Sequence, residues 1–293
     1  MNGLNLIQIT DRGDPRIAPF VGVRERDLTG GTDGRFIVEG KVPLQIVLTR
    51  SRFMVESLFL SENRIAPLAD ILADVPEGIP VYTAPQSLMD QVVGFPIHRG
   101  VLACARKGSA LTLQTLFSAT PERDPGAQSA RQGQPREVLD QVRNSRTFLV
   151  LNQISNHDNV GAAFRNAAAF GADGVILDAG SCDPLYRKSI RVSSGSTLWL
   201  PYHHGGTGAE QIAALKSAGF TIWAMTPRHE ALPLAELKRP DKLAILLGAE
   251  GPGLPEALIA ACEPVRIPMR TGFDSVNVAT AGAIALSHVF KPD

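Results

Sequence analysis

The sequence predicts an α/β protein with a mainly parallel sheet in its C-terminal part and a smaller α/β domain before it. Short apolar runs alternate with amphipathic stretches, which is the pattern of alternating strands and helices. The C-terminal runs are almost continuously apolar, as in parallel strands that helices cover on both faces. Between the two parts, residues 118–137 are rich in Pro, Gly and Gln and poor in large apolar residues. The sequence therefore predicts a domain at 1–112, a linker at 113–145 and a larger domain at 146–293.

The N-terminal domain is predicted to contain five strands and two helices, which is enough to bury a core of its own. The predicted strands are Arg35–Glu39, Ile46–Thr49, Leu58–Ser61, Val81–Thr83 and Val101–Ala105. The predicted helices are Ile65–Ala73 and Gln86–Val92.

The C-terminal domain is predicted to contain six strands, with helices between them and at the end. The predicted strands are Phe148–Leu151, Val175–Leu177, Leu198–Leu200, Thr221–Met225, Leu243–Leu247 and Val265–Ile267. The predicted helices are Ala162–Phe170, Ala209–Ala218, Pro255–Ala261 and Asn277–Phe290.

The composition restricts the possible functions. The chain has 29 basic and 29 acidic residues, so any nucleic-acid surface has to be local. One candidate is the run Arg187, Lys188 and Arg191, for which the alternative is a solvated helix face. A cytoplasmic protein is expected, because no apolar run reaches the roughly 18 residues of a membrane span, no secretory signal is evident and the cysteines are few and scattered. The six histidines show no metal-ligand spacing, so no metal centre is expected.

The first polar segment follows the first strand of the C-terminal domain. Asn156, Asp158 and Asn159 all favour a helix start, yet capping needs only one of them. Arg165 lies one turn into the helix that is predicted to begin near Gly161, and the i, i+4 spacing places it on the same helix face as Gly161. A helix N-terminus beside an arginine can bind an anion such as phosphate. The alternative is an ordinary capped helix with a surface arginine.

The second segment is a glycine loop directly after the strand Leu243–Leu247. Gly248, Gly251 and Gly253 permit positive φ angles and a close approach of a ligand to the backbone. The spacing matches neither the dinucleotide fingerprint nor a phosphate loop. Glu250 would repel phosphate and suits a ligand with hydroxyl groups or a positive charge. The alternative is a flexible turn.

The third segment, residues 265–290, runs from a strand through a loop into a helix with many small residues. Small residues permit close packing of this helix against a chain crossing or a partner subunit. Ser275 and Asn277 lie at the predicted helix start, where capping alone would explain one of them.

Taken together, the three segments resemble the motifs of the SpoU/TrmH family of RNA ribose 2′-O-methyltransferases, within the SPOUT superfamily. The first segment matches the family motif at Asn156, Asn159, Gly161, Ala162, Arg165, Ala167, Phe170 and Gly171. The second segment matches at Gly248, Glu250, Gly253 and Leu254. The third segment matches at Ile267, Pro268, Met269, Ser275, Val276, Asn277 and Val278. The likeness extends over residues 146–290.

The resemblance implies an architecture and an assembly. The C-terminal domain would carry a deep trefoil knot, and the protein would work as a homodimer with the third-segment helices in the interface. Residues Phe36–Gly40 are similar to part of the family's substrate domain, a ribosomal-protein-like RNA-binding fold. The domain at 1–112 would therefore bind the RNA substrate.

The resemblance also implies S-adenosylmethionine as the methyl donor, with no metal. The implied donor-binding residues are Thr226, Gly248, Gly253, Ile267, Met269, Val276 and Val278. Arg165 would activate the ribose hydroxyl, either as a base or, more simply, by stabilising the developing oxyanion. The residues that would shape the site and orient the ribose are Asn159, Glu250, Ser275 and Asn277.

Departures from the family pattern leave two functions in competition. Ala249 and Ala279 replace polar residues near the donor, but Arg165, Glu250 and Asn277 are all present, which favours an active enzyme acting on rRNA or tRNA. The alternative is a catalytically silent RNA- or nucleotide-binding module of the same fold, which the neutral net charge favours. Further candidates for phosphate contacts are Arg24, Arg26 and Arg35.

Overall fold

A computed structural model describes residues 4–23, 34–118 and 145–291. The chain divides into two compact units. The first unit comprises Met1–Ala110 and Asp183–Trp199, and the second comprises Leu111–Cys182 and Leu200–Asp293. Most of the predicted linker lies outside the described residues, as do the candidate phosphate contacts Arg24 and Arg26.

The described residues form twelve strands and nine α-helices. The strands are β1 (Asn5–Gln8), β2 (Arg35–Glu39), β3 (Met54–Ser61), β4 (Pro80–Ala84), β5 (Val101–Arg106), β6 (Arg146–Leu151), β7 (Gly174–Leu177), β8 (Tyr202–His204), β9 (Thr221–Met225), β10 (Leu232–Pro233), β11 (Lys242–Leu247) and β12 (Glu263–Arg266). The helices are α1 (Lys41–Thr49), α2 (Ala69–Leu72), α3 (Gln86–Val93), α4 (Leu113–Ser118), α5 (His157–Ala169), α6 (Arg187–Val192), α7 (Gly208–Ser217), α8 (Glu256–Ala260) and α9 (Val278–Val289). None of these helices is long and apolar enough to cross a bilayer.

The first unit is built on a mixed five-stranded sheet in the order β1-β4-β3-β5-β2. The pairs β1–β4 and β4–β3 are parallel, whereas β5 runs antiparallel to β3 and β2. Its core is apolar and includes the fully buried Phe20 and Phe59, whose ring centroids lie 5.5 Å apart. The segment Asp183–Trp199, which carries α6, belongs to this unit although it lies within the predicted C-terminal domain.

The second unit is built on a seven-stranded sheet in the order β10-β12-β9-β11-β6-β7-β8, and every pair is parallel. This confirms the predicted parallel α/β class. The C-terminal helix α9 packs on β11 and on α5. A Cβ atom at Gly282 would lie 2.8 Å from Cδ1 of Leu247, so the small residues of α9 bring its backbone close to the sheet.

Two predicted strands are wrong. Ile46–Thr49 forms the end of α1, because its apolar pattern repeats at helical spacing and buries Leu44 and Val47. Leu198–Leu200 is also not a strand. A 3-10 turn occupies Ser196–Leu198, and the strand β8 follows only at Tyr202.

Three other predicted boundaries are corrected. The predicted helix Ile65–Ala73 consists of a 3-10 turn that contains Pro67, followed by α2. The helix that was expected to begin near Gly161 is α5, which begins at His157. The first residues of the predicted linker form α4 in the second unit, where Leu116 is buried.

Candidate active site

A cleft of about 560 Å³ lies in the second unit, where β9, β11 and β12 end. The carboxyl ends of parallel strands are the usual place for a ligand in such sheets. The seven residues predicted to bind the donor all line this cleft: Thr226, Gly248, Gly253, Ile267, Met269, Val276 and Val278. Three of the residues predicted to act on the ribose line it too: Glu250, Ser275 and Asn277.

The glycine loop forms one wall of the cleft and has the backbone geometry that its sequence predicts. Gly251 and Gly253 have φ angles of +86° and +70°, which favour glycine. The N–H of Gly253 donates to the carbonyl of Ala249 at 3.0 Å and closes a tight turn. A Cβ atom at Gly248 would lie 2.5 Å from the backbone nitrogen of Leu254. Only glycine fits at position 248 without moving the loop.

Hydrogen bonds among three side chains join the three sequence segments at the cleft. Nδ2 of Asn159 donates to Oε1 of Glu250 at 2.5 Å. Nδ2 of Asn277 donates to the same Oε1 at 3.0 Å and to Oδ1 of Asn159 at 2.9 Å. Asn159 itself is buried, and the other two side chains are exposed. We call Asn159, Glu250 and Asn277 the amide–carboxylate network.

Two asparagines also cap the helices that border the site. Oδ1 of Asn156 accepts from the N–H of Asp158 at 2.8 Å at the start of α5. Oδ1 of Asn277 accepts from the N–H groups of Ala279 and Thr280 at the start of α9. In the first segment, Asn156 is thus the helix cap, and the side chain of Asn159 instead bonds to Glu250 and Asn277.

Arg165 lies in α5 with an exposed side chain and does not line the cleft. Within the described residues its guanidinium makes no hydrogen bond or ion pair. Arg165 lies in the third turn of α5, because that helix begins four residues earlier than predicted. The structure therefore brings Asn159, Glu250, Ser275 and Asn277 to the cleft region and leaves the side chain of Arg165 exposed outside the cleft lining.

Sequence reasoning missed Arg228, the only arginine or lysine that lines the cleft in the described part of the chain. Its Nη1 donates to Oε1 of Glu256 at 2.9 Å, and a second bond joins its Nη2 to Oε2. The Glu256 hydrogen bond raises the pKa of Arg228, and Arg228 in turn lowers the pKa of Glu256. Arg228 comes three residues after β9, so its position after a strand end was the available signal.

The predicted RNA-binding run lies in the first unit and has mixed surroundings. Arg187 is ion-paired with the buried Glu39 and stacks over Phe95 at 4.8 Å, so it is held within the fold. Lys188 and Arg191 are exposed. Arg35, a further candidate, is ion-paired with Glu56 at 2.6 Å. No group of three or more His, Cys, Asp or Glu residues suited to a metal ion occurs among the described residues.

The fold and the cleft together define a class, namely parallel α/β enzymes that bind a small cofactor at the carboxyl edge of the sheet. Residues 146–287 match the SpoU rRNA Methylase family. The chain is 38% identical to an uncharacterised tRNA/rRNA methyltransferase of Mycobacterium bovis, over 97% of this chain and 91% of that protein. The chain belongs to the SpoU/TrmH family of RNA methyltransferases.

Two further comparisons agree with this family. The chain is 28% identical to the 23S rRNA (guanosine-2′-O-)-methyltransferase RlmB of Acinetobacter baylyi, over 72% of this chain and 78% of that protein. The crystal structure of an AdoMet-bound rRNA methyltransferase from Sinorhizobium meliloti superposes with a TM-score of 0.72 over 97% of both chains. At 19% identity, that structure shows a shared fold.

Proposed function

We propose that this protein transfers a methyl group from S-adenosylmethionine to a ribose 2′-hydroxyl of structured rRNA or tRNA. The observation that carries the proposal is the amide–carboxylate network, which joins three separate motif segments beside a cleft of cofactor size. The ribose 2′-hydroxyl as acceptor is supported by the relative RlmB, which is named for that reaction.

S-adenosylmethionine is the methyl donor, and its sulfonium supplies an electrophilic methyl group. The cleft fits such a ligand, because its volume of about 560 Å³ lies in the usual range for small-molecule sites. Gly248 has no room for a side chain, and the Cβ positions of Gly251 and Gly253 face open space. The loop therefore offers bare backbone for contact with the donor.

Arg228 is the cleft residue that we assign to the donor's carboxylate. That carboxylate is the donor's one anionic group near pH 7, and Arg228 is the one arginine or lysine among the described lining residues. Nη1 and Nη2 each carry a second N–H group beside the one that bonds to Glu256, and guanidinium N–H groups pair well with carboxylate oxygens. The acidic lining residues Glu250 and Asp274 suit the donor's positive groups.

Arg165 is the residue that we assign to the acceptor hydroxyl. A ribose hydroxyl attacks only as its proton leaves, and a guanidinium that stays protonated stabilises the oxyanion that develops. The network holds Glu250 in place through Oε1, and Oε2 makes no hydrogen bond within the described residues. Oε2 is thus free to accept a hydrogen bond from a ribose hydroxyl, which orients the sugar.

The proposal extends to the architecture that the family implies. A trefoil knot at the C-terminus is supported by the order of the strands, since β12 lies between β9 and β10 and α9 then returns to β11. A ribosomal-protein-like substrate domain at 1–112 is supported by the mixed sheet of the first unit. A homodimer through α9 is supported by the exposed Ile284 and Phe290. A cytoplasmic location stays a prediction.

The test measures methyl transfer from radiolabelled S-adenosylmethionine to total RNA from a strain that lacks this gene. Native protein is compared with Arg165→Ala and with Arg12→Ala, a matched exposed arginine of the first unit. Loss of oxyanion stabilisation should slow Arg165→Ala on the order of 100-fold, with Arg12→Ala unchanged. Mass spectrometry of digested RNA should place the methyl group on a ribose.

Each other outcome contradicts a separate part of the proposal. Donor binding without labelled RNA would favour the silent binding module. Labelled bases would refute the ribose assignment. Full activity of Arg165→Ala would refute the role of that arginine.

A further inference from the structure

Two neighbouring cavities in the first unit carry an unusual concentration of basic residues. Their volumes are about 350 and 330 Å³, and both are lined by His98 and Arg99. The first is also lined by Arg187 and Arg191, and the second by Lys41 and Arg64. This local charge contrasts with a chain whose net charge is zero.

The positive charge of these cavities is only partly neutralised. The one acidic lining residue is Glu39, and it is already ion-paired with Arg187. Within the described residues, Lys41, Arg99 and Arg191 make no ion pair, and all three side chains are exposed.

Arg64 adds a fourth unpaired cation at the second cavity. Its Nη2 donates to the carbonyl of His98 at 3.2 Å, which leaves its charge without an acidic partner in the described chain. The two cavities thus hold four cations in excess, namely Lys41, Arg64, Arg99 and Arg191.

The backbone adds positive potential at the same place. Gly40 is the N-cap of the nine-residue helix α1, and no side chain caps that end. The guanidinium of Arg99 lies against Gly40. A Cβ atom at position 40 would be only 2.8 Å from Nη1 of Arg99. Cations at the positive end of a helix are unfavourable for folding. This arrangement becomes favourable once an anion binds.

We propose that the two cavities bind neighbouring phosphates of the RNA substrate's backbone. The inference rests on the proposed function and specifies where the first unit holds the RNA. A polyanion with regularly spaced charges matches two adjacent basic cavities better than a single small anion does. Arg191 enters the site from the segment Asp183–Trp199, so the site needs both chain stretches of the first unit.

The experiment measures binding of radiolabelled, unmodified 23S rRNA, 16S rRNA and tRNA transcripts by filter binding at several salt concentrations. Arg99→Gln and Arg191→Gln are compared with Arg12→Gln, an exposed arginine of the same unit outside both cavities. Each cavity variant should bind RNA several-fold more weakly. The slope of the logarithm of the association constant against the logarithm of the salt concentration is negative, and its magnitude should decrease by about 0.7 to 0.9 for each lost phosphate contact.

Two controls separate this inference from the proposed function. Arg99→Lys keeps the charge and should recover most of the affinity. Calorimetric binding of S-adenosylmethionine should be the same in all variants, since the donor cleft lies in the second unit.

The outcomes that oppose the inference are distinct. Equal RNA affinity and equal salt slope in native protein and in Arg99→Gln and Arg191→Gln would refute the phosphate site alone. Donor binding without any RNA binding by the native protein would refute the proposed function, and the phosphate site with it.

Discussion

Asn277 uses both ends of its side-chain amide at the candidate active site. Its Oδ1 caps α9, and its Nδ2 donates to Asn159 and Glu250. Asn277→Ala should lower the free energy of unfolding by about 1 to 2 kcal/mol, because both roles are lost. Asn277→Asp keeps the cap but places a carboxylate beside Glu250. It should therefore be more stable than Asn277→Ala and should still bind the donor more weakly than native protein does. Urea unfolding and calorimetry measure the two effects, and equal stability of the two variants would contradict the capping role.

Arg228 provides a second prediction for a single residue. Arg228→Gln should weaken S-adenosylmethionine binding about tenfold and leave 5′-methylthioadenosine binding unchanged, because that nucleoside lacks the carboxylate. Calorimetry with the two ligands measures this difference. An equal loss for both ligands would show instead that Arg228 supports the shape of the cleft.

Single residues were predictable from the sequence where a motif singled them out. Asn159, Glu250 and Asn277 lie in three recognisable segments, and the structure brings their side chains together. Arg228 belongs to no motif, so only its place after a strand could have indicated it. The partner of Arg187 is Glu39, 148 residues earlier, and no local pattern reveals such a pair.

At the scale of elements, the turn after β11 depends on Gly248. A Cβ atom there would lie 2.5 Å from the nitrogen of Leu254 and 2.6 Å from the carbonyl carbon of Gly253, both of which are backbone atoms. Gly248→Ala should therefore displace the loop, cost about 1 to 3 kcal/mol and weaken donor binding. The matched variant is Gly251→Ala, which has open space and only an unfavourable φ. Thermal unfolding and calorimetry compare them, and a smaller effect at Gly248 would contradict the packing argument.

Helix α7 begins with a reciprocal capping box that responds to pH. The N–H and hydroxyl of Thr207 donate to Oε2 of Glu210 at 2.7 and 3.0 Å, and these bonds lower the pKa of Glu210. The folded state thus favours the carboxylate, and its stabilisation is present above about pH 4.5 and lost as the pH falls through the folded pKa. Glu210→Gln should be less stable than native protein at pH 7, and the difference should narrow below pH 4.5.

Thermal unfolding between pH 7 and pH 3 measures this narrowing. Glu77→Gln changes an exposed carboxylate of the first unit and is the matched control. A native-minus-variant difference that stays constant with pH would contradict the role of the Glu210 charge.

Elements were predictable where apolar runs coincide with burial on both faces. The strands β6, β7, β9 and β11 follow from such runs, because a parallel strand between helix layers has no polar face. Ile46–Thr49 has the same composition but lies in a helix. Packing of Leu44 and Val47 outweighs the weak strand preference of its β-branched residues.

At the scale of the whole molecule, each unit contains one of the two tryptophans. Trp199 lies in the first unit beside Arg50, and Trp223 is buried in the second. In a Trp223→Phe background, Trp199 fluorescence therefore reports the first unit. Arg187→Met should lower the free energy of unfolding, as followed by Trp199 fluorescence, by about 3 to 5 kcal/mol, because the buried Glu39 carboxylate loses its partner.

Two further variants test that explanation. Arg191→Met changes an exposed arginine of the same helix and should have little effect. Adding Glu39→Gln to Arg187→Met should restore part of the loss, because it removes the unpaired charge. A double variant as unstable as Arg187→Met would show that the packing of Arg187, and not the charge, is what matters.

The fold class was predictable because periodicity is a local property of the sequence. Membership of a compact unit is not local, and the sequence boundary at residue 146 separates Asp183–Trp199 from the unit in which it folds. The ion pair between Glu39 and Arg187 joins residues 148 positions apart, so only the folded structure reveals it.

The return of Asp183–Trp199 to the first unit has a consequence for biosynthesis. A ribosome adds about 5 to 20 residues per second, so Arg187 follows Glu39 by roughly 7 to 30 s. Throughout that interval the nascent first unit lacks α6, and by its end β6, α5 and β7 of the second unit have been made. The two units therefore complete their folding in overlapping periods. For the same reason, recombination that exchanges residues 1–110 between related genes would pair a new β2 with an old α6, and would succeed only where Glu39 and Arg187 are kept together.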